Sequence, residues 1–341
     1  MTRIYVPQPI PEIAEARLRA CGEVTIYPHV DRQIPRAELL EAVRDKEILY
    51  AIGEIEFDEE VIAAANALKL ISAMHGSAPF VDKAAATRRG VPVSSLPYGI
   101  NIKTTAEFTF ALLMATAWRL PEADRFLRDG GWQQNQSQAF LGTRLYGKTL
   151  GIVGMGTVGQ MVARRAVGCD MRVVYNKRTR LSPTDEMVLG GAEFRSLDDL
   201  FAQSDFIALT PKLTKETKGM IDARLIDMMK PSAILINTSR GAVIDEAALE
   251  RALVERRIRG AGLDVYETEV PEPNPGPRAG LRDLPNVVFS PHIGSGARET
   301  REEMSLRAVR NIEMFLAGER PNPVLNPEVY GDAPIKDDRI G

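Results

Sequence analysis

Gly151-Ile152-Val153-Gly154-Met155-Gly156-Thr157-Val158-Gly159 is the stretch that decides the fold of this chain. An apolar run, Thr149 to Val153, enters it; a helical stretch, Thr157 to Val167, leaves it; a second apolar run, Met171 to Tyr175, follows. A lone Gly-x-Gly-x-x-Gly is a weak signal. Strand, glycine turn, helix and strand together are the context that a dinucleotide pyrophosphate loop requires. Gly154 permits the tight turn, Gly156 lets a phosphate approach the backbone, and Gly159 lets the helix pack on the sheet. The helix start, at Thr157 and Val158, offers unpaired NH groups to phosphate oxygens.

Asn176 stands 22 residues beyond Gly154 (176 − 154), where such sites meet the adenosine ribose. An Asp there would bind the ribose hydroxyls and repel a 2′-phosphate. Asn176 does not repel it, and Lys177, Arg178 and Arg180 are placed to neutralise it, an Arg through two parallel hydrogen bonds. The expected cofactor is NADP(H) in preference to NAD(H), with NAD(H) still accommodated. The competing reading of these cations is a solvated strand end.

Working outward, the same alternation fills the chain. Before the glycine loop, strands are expected at Arg3–Val6, Val24–Tyr27, Ile48–Ile52 and Leu70–Ala73, with helices between them. After it, strands are expected at Phe206–Leu209, Ala233–Ile236, Gly262–Val265 and Val287–Ser290. A long amphipathic stretch, Lys103 to Arg128, joins the two sets, with Pro121 kinking or ending it. Strands separated by helices pair in parallel, so the fold class is α/β with two doubly wound parallel-sheet domains. A last helix, Arg298 to Leu316, lies beyond the final strand and is expected to return to the first set, with the tail from Pro321 as a covering extension. The first domain is then discontinuous, 1–98 plus 297–341, and 99–296 forms the second.

Composition excludes several functions. The 341 residues suit about two domains, and a net charge of −3 gives no reason to expect a nucleic-acid or membrane partner. Cys21 and Cys169 cannot form a disulfide framework, and with His29, His75 and His292 they show no metal-ligand spacing, so no metal is expected. No apolar run approaches the roughly 18 residues of a membrane span. These features suggest a reduced, cytoplasmic compartment.

Three segments fall at later strand ends: Ile236 to Gly241, Gly262 to Glu269, and Ser290 to Ser295. Ligands of an open parallel sheet bind beyond the C-terminal strand ends, so an Arg, a Glu and a His converge there. Hydride transfer to a 2-keto acid needs a cation for the carboxylate and carbonyl oxygen, and an acid for the developing alkoxide. His292 titrates near neutrality, and a neighbouring carboxylate, Glu267 or Glu269, would keep it protonated.

As a set, Gly151–Gly159, Asn237–Ile244, Ala261–Glu269 and Pro291–Ser295 resemble the D-isomer-specific 2-hydroxyacid dehydrogenase family, in particular its NADP-preferring glyoxylate and hydroxypyruvate reductases. The resemblance runs from about Ile48 to Leu325. It implies a flavodoxin-like substrate domain and a Rossmann cofactor domain with a cleft between them. Arg240 would bind the substrate carboxylate and carbonyl. The family pattern Gly-Leu-Asp-Val-aromatic-x-x-Glu, read from Gly262, selects Glu269 over Glu267 as the partner that raises the pKa of the acid/base His292. Asp264 would contact the nicotinamide carboxamide, Thr210-Pro211 and Thr238 would lie along the cofactor, and Gly76, Ser77 and Ser295 would help hold the substrate. An arm, 120–145, carrying Trp132, implies a homodimer.

The chain departs from the family at Gly76-Ser77-Ala78-Pro79, where Pro79 replaces an acid and supplies no NH, and at Tyr98, where a proline is usual. These departures leave the substrate open, and with it a dehydrogenase of another small oxyanion such as phosphite. A non-catalytic dinucleotide sensor is the reading outside enzymology. Plainer roles also exist: Asp264 as a strand cap, Glu269 as part of the acidic, proline-rich loop Glu267 to Pro275, His292 as a satisfied loop histidine, and Trp132 as a buried anchor.

Overall fold

Every strand pairing between neighbours in the two sheets is parallel. The computed structural model describes residues 1–135, 138–269 and 275–331. It divides into two compact units, Met1–Ile100 with Ala297–Gly341, and Asn101–Gly296.

The first unit carries β1 (Arg3–Val6), β2 (Glu23–Ile26), β3 (Ile48–Ala51), β4 (Leu70–Ala73) and β5 (Val93–Ser94), in the order β2-β1-β3-β4-β5. Alternate side chains feed two cores: Tyr5, Leu49 and Ile71 enter one face, Ile4, Tyr50 and Leu70 the other. Helix Arg298–Leu316 covers the second face with Met304, Ala308, Val309 and Ile312. Buried Ser72 donates its hydroxyl to Ala308 O at 2.8 Å, and Asn311 Nδ2 donates to Ser95 O at 2.9 Å. Leu316, the last residue of this helix, is exposed. The two-residue β5 is too short to leave a periodic signal. Asn326 replaces its missing neighbour: Val93 N donates to Asn326 Oδ1 at 2.7 Å, and Ser94 bridges Val324 antiparallel. The tail thereby protects a sheet edge.

The second unit carries β6 (Thr149–Val153), β7 (Arg172–Asn176), β8 (Glu193–Phe194), β9 (Phe206–Leu209), β10 (Ile234–Asn237), β11 (Gly260–Leu263) and β12 (Val287–Phe289), in the order β12-β11-β10-β9-β6-β7-β8. The direction of winding reverses between β6 and β9, which places the ligand crevice of such a sheet at their C-terminal ends. Register makes this sharper. Val153 pairs Asn176 and Leu209, Asn237 pairs Leu209 and Leu263, and Leu263 pairs Phe289. Six strands therefore stop together, and the residues after them share one edge.

Two sequence expectations need adjustment here. The stretch from Lys103 to Arg128 is two helices, Ile102–Ala117 and Leu120–Arg128. The break falls before Pro121, at Arg119 in the left-handed region (φ 53°), and Pro121 sits in the first turn of the next helix, where its missing NH costs nothing. Strand β11 also starts and ends two residues earlier than Gly262–Val265, so Asp264 lies just past its end. Among the described residues, no helix is long and apolar enough to cross a membrane.

Candidate active site

The glycine loop is locked by its neighbours. Gly154 has φ 92°, and a Cβ there would lie 2.6 Å from Pro211 N, so both conformation and space demand glycine. A Cβ on Gly159 would lie 2.5 Å from Gly154 O. Thr210 Oγ1 donates to that same carbonyl at 2.7 Å, which fixes Thr210-Pro211 against the loop. Around Gly156 a Cβ would meet nothing within 4 Å. That open approach, with helix Thr157–Val167 starting at Gly156, fits a pyrophosphate held by backbone NH groups.

Asn176 ends β7 opposite Val153, and its Nδ2 donates to Arg195 O at 2.8 Å. Lys177 is half-buried and Arg178 exposed beside it. Arg178 is close enough to Glu216 to help lower the pKa of that carboxyl, which a hydrogen bond from Thr214 lowers most. Arg180 is differently placed. Its Nε and Nη2 bind Glu186 Oε1 and Oε2 at 2.8 and 2.9 Å, and the Tyr175 hydroxyl donates to the same carboxylate at 2.7 Å. The Arg180 hydrogen bond, then that of Tyr175, brings Glu186 down to about 2. Sequence grouped Arg180 with the phosphate-binding cations; the fold commits it to Glu186.

At the end of β10, Asn237 organises the turn that presents Arg240. Its Oδ1 accepts from Ser239 N at 3.0 Å and Ser239 Oγ at 2.8 Å, and its Nδ2 donates to Arg240 O at 3.0 Å. Thr238 Oγ1 shares a 2.6 Å hydrogen bond with Thr109 Oγ1. Arg240 itself is exposed, with Nη1 donating to Ser239 O at 2.6 Å. A Cβ on Gly241 would fall 1.8 Å from the Tyr266 carbonyl carbon and oxygen, so this turn presses directly on the 266–267 peptide.

Asp264, buried beyond β11, holds the turn that follows β12. Its Oδ1 accepts from Ser290 Oγ at 2.6 Å and Ile293 N at 2.8 Å, and its Oδ2 from Gly294 N at 2.9 Å. Burial pushes its pKa up against those three hydrogen bonds and the His292 charge. Its backbone carbonyl also accepts from His292 N at 2.9 Å. His292 has φ 52°, a strained conformation for histidine that these four bonds support.

His292 Nδ1 lies 2.9 Å from Glu269 Oε2. Glu269 Oε1 accepts from Tyr266 N at 2.9 Å, so the carboxylate turns back over its own loop while Glu267 stays exposed. An ionised carboxylate only accepts, which places a proton on Nδ1 and leaves Nε2 as the titrating nitrogen. The hydrogen bond to Glu269 raises the His292 pKa, opposed by burial, with the Glu269 and Asp264 charges adding and Arg240 subtracting. Burial would raise Glu269, but the hydrogen bond and charge of His292, the Tyr266 NH and the Arg240 charge outweigh it and hold it below its ordinary value. Arg240, Glu269 and His292 thus sense one another electrostatically within the second unit. Residues 270–274, in the acidic, proline-rich loop, lie outside the described residues, as do Gln136 and Ser137 in the arm. The arm itself exposes Trp132, so the buried-anchor role does not hold within the chain.

In the first unit, Gly76 and Ser77 are exposed and a Cβ on Gly76 would meet nothing within 4 Å. Ala78 takes φ 43°, and Lys83 Nζ donates to its carbonyl at 3.1 Å. His75 packs edge-on to Phe80. Ser295 is half-buried, one residue past the Gly294 that binds Asp264. Sequence reasoning passed over Glu246 and Asn237. An acid in a first helical turn and an amide after a strand are common, and only their long-range partners set these two apart.

Residues 110–294 match the model of the D-isomer specific 2-hydroxyacid dehydrogenase NAD-binding domain. A glyoxylate reductase of Thermococcus kodakarensis is 44% identical over 331 residues, 96% of this chain and 97% of the relative. A solved protein of Thermus thermophilus is 38% identical with TM-score 0.83, covering 95% of this chain and all of that one. A solved NADPH-dependent glyoxylate/hydroxypyruvate reductase of Sinorhizobium meliloti is 27% identical with TM-score 0.77, covering 96% and 99%.

Proposed function

The chain belongs to the D-isomer-specific 2-hydroxyacid dehydrogenase family, an NAD(P)-dependent oxidoreductase, and from that premise we propose that it reduces glyoxylate or hydroxypyruvate to the D-2-hydroxy acid with NADPH in preference to NADH. The observation that carries this reading is the 2.9 Å pair of His292 and Glu269 with the Arg240 charge beside it. A nicotinamide dinucleotide held at this site would supply the hydride. His292 gives the Nε2 proton to the substrate oxygen as it becomes an alkoxide, and Glu269 keeps that proton in place beforehand. Arg240 holds the substrate carboxylate and stabilises charge building on the oxygen.

The unit Asn101–Gly296 is assigned here as the cofactor domain, with Gly154, Gly156, Thr157, Val158 and Gly159 at the pyrophosphate and Thr210, Pro211, Thr238 and Asp264 along the dinucleotide. The unit Met1–Ile100 with Ala297–Gly341 is assigned as the substrate domain. Preference for NADPH rests on Asn176, Lys177 and Arg178, and is supported by the cofactor named for the Sinorhizobium relative. A homodimer formed through the arm is part of the same reading; exposed Trp118, Leu120, Leu127, Trp132 and Leu141 support it.

The deciding experiment follows NADPH and NADH consumption with glyoxylate, hydroxypyruvate and pyruvate, and NADP+ reduction with phosphite. Turnover of the first two with higher kcat/KM for NADPH is the expected result. Turnover of phosphite alone would replace the keto-acid reading, and an advantage for NADH would remove the cofactor assignment.

A further inference from the structure

Glu246 opens helix Glu246–Val254 but does not cap it. Asp245 already does so, its Oδ1 accepting from Ala248 N at 2.9 Å. Glu246 is instead buried, 3% exposed as a residue, and its Oε1 accepts from Glu267 N at 2.8 Å across 21 residues of chain. Its Oε2 is buried without a hydrogen-bond partner among the described residues. A carboxyl is an expensive choice for such a place, since a smaller acceptor or an apolar side chain would avoid burying a second oxygen. What it grips is the peptide against which Gly241 is also pressed. Three residues on from Tyr266, whose NH holds Glu269 Oε1, Glu269 reaches His292.

We propose that Glu246 is a positioning residue of the acid/base pair: its buried carboxyl clamps the 266–267 peptide so that Glu269 meets His292 in register with Arg240. The proposal rests on the reading of His292 as the proton donor. The grip has two sides. Gly241, next to Arg240, sets the distance of closest approach, and Glu246 Oε1 holds the peptide there by its NH. Tyr266 and Glu267 then have no freedom to slide, and the carboxylate that follows them is aimed. Burial pushes the Glu246 pKa up, with the Glu267 NH and Arg278 pulling down and the charges of Glu267 and Glu269 adding to the rise.

Glu246→Gln and Glu246→Leu test the clamp, with Glu246→Met in reserve should the Leu variant fail to fold. Gln keeps an acceptor at Oε1; Leu and Met keep volume and lose it. Expected for Gln is kcat within about twofold of the parent and an unmoved pH profile. For Leu or Met, kcat should fall on the order of 10- to 100-fold, because a small misplacement of a catalytic group has that effect. Cofactor Kd should stay within about twofold, since the pyrophosphate loop is remote from the clamp in sequence and in hydrogen bonding. The His292 pKa, followed by imidazole NMR in the full-length protein, should drop toward its ordinary value in Leu or Met and not in Gln. A folded Leu or Met variant with parental kcat and His292 pKa would overturn the proposal, as would a Gln variant as impaired as Leu. The NMR titration needs no turnover. A protein inactive on every keto acid would sink the functional reading while the clamp was still tested.

Discussion

His292 Nδ1 and Glu269 Oε2 stand 2.9 Å apart, and Glu269 is itself tethered to the Tyr266 NH. The histidine is therefore held in one tautomer with its pKa displaced upward from 6.5. In the proposed reaction, reduction of a keto acid consumes the proton on that ring. kcat/KM should then be full below the His292 pKa and fall as pH rises through it, the fall being centred above pH 6.5. In Glu269→Gln the main upward cause is gone while burial and Arg240 still push down, so the falling limb moves to lower pH. A Glu269→Gln profile that overlays the parent's would show that the pair does not control the proton. His292→Ala should lower kcat about 10²- to 10⁴-fold, the usual worth of a positioned general acid.

Arg240→Ala should lower kcat/KM for glyoxylate by roughly 10²- to 10³-fold, as loss of one charge-stabilising donor does. NADPH binding, followed by fluorescence quenching, should be nearly unchanged. Arg240→Lys should recover only a fraction, because a point charge does not reproduce a two-pronged contact with a carboxylate. Loss of cofactor binding in Arg240→Ala would move the residue out of the substrate role.

Cofactor choice separates the cations after β7. Asn176→Asp should reduce the ratio of kcat/KM for NADPH over NADH roughly fivefold or more, since like charges a few Å apart repel by ~1 kcal/mol even when fully screened by water. Lys177→Ala combined with Arg178→Ala should act in the same direction. Arg180→Ala should leave the ratio alone, because its guanidinium is bound to Glu186 through two hydrogen bonds. A ratio that collapses in Arg180→Ala would mean that the ion pair opens when the cofactor arrives.

Two glycines of one motif should respond oppositely to alanine. Gly154→Ala forces a side chain into φ 92° and against Pro211, and should cost ~2 kcal/mol or more in thermal unfolding. Gly156→Ala has open space around its Cβ, so the apoprotein Tm should stay within a few degrees while NADPH affinity falls. Equal affinity for NADPH in Gly156→Ala and the parent would argue against a pyrophosphate at this loop.

What the sequence determined by itself is whatever neighbours in the chain encode. The alternation of apolar runs and helical stretches specified two parallel sheets, and the glycine spacing after β6 specified a tight turn into a helix. Two-residue strands such as Val93–Ser94 and Glu193–Phe194 escaped because so short a run has no period to read. The break at Arg119 escaped because the proline signal marks a helix start as well as an end.

Tertiary structure alone decided which side chains are already committed. Arg180 and Lys177 are three positions apart and alike on paper; the bend after β7 brings one of them back to Glu186. Asp264 could cap a strand anywhere, but the parallel register of β11 and β12 delivers Ser290, Ile293 and Gly294 to its two oxygens. Glu246 pairs with a peptide 21 residues away, and Glu269 with a ring 23 residues away. Such partners are fixed by where strands end together, a property of sheet register and packing that no local pattern carries.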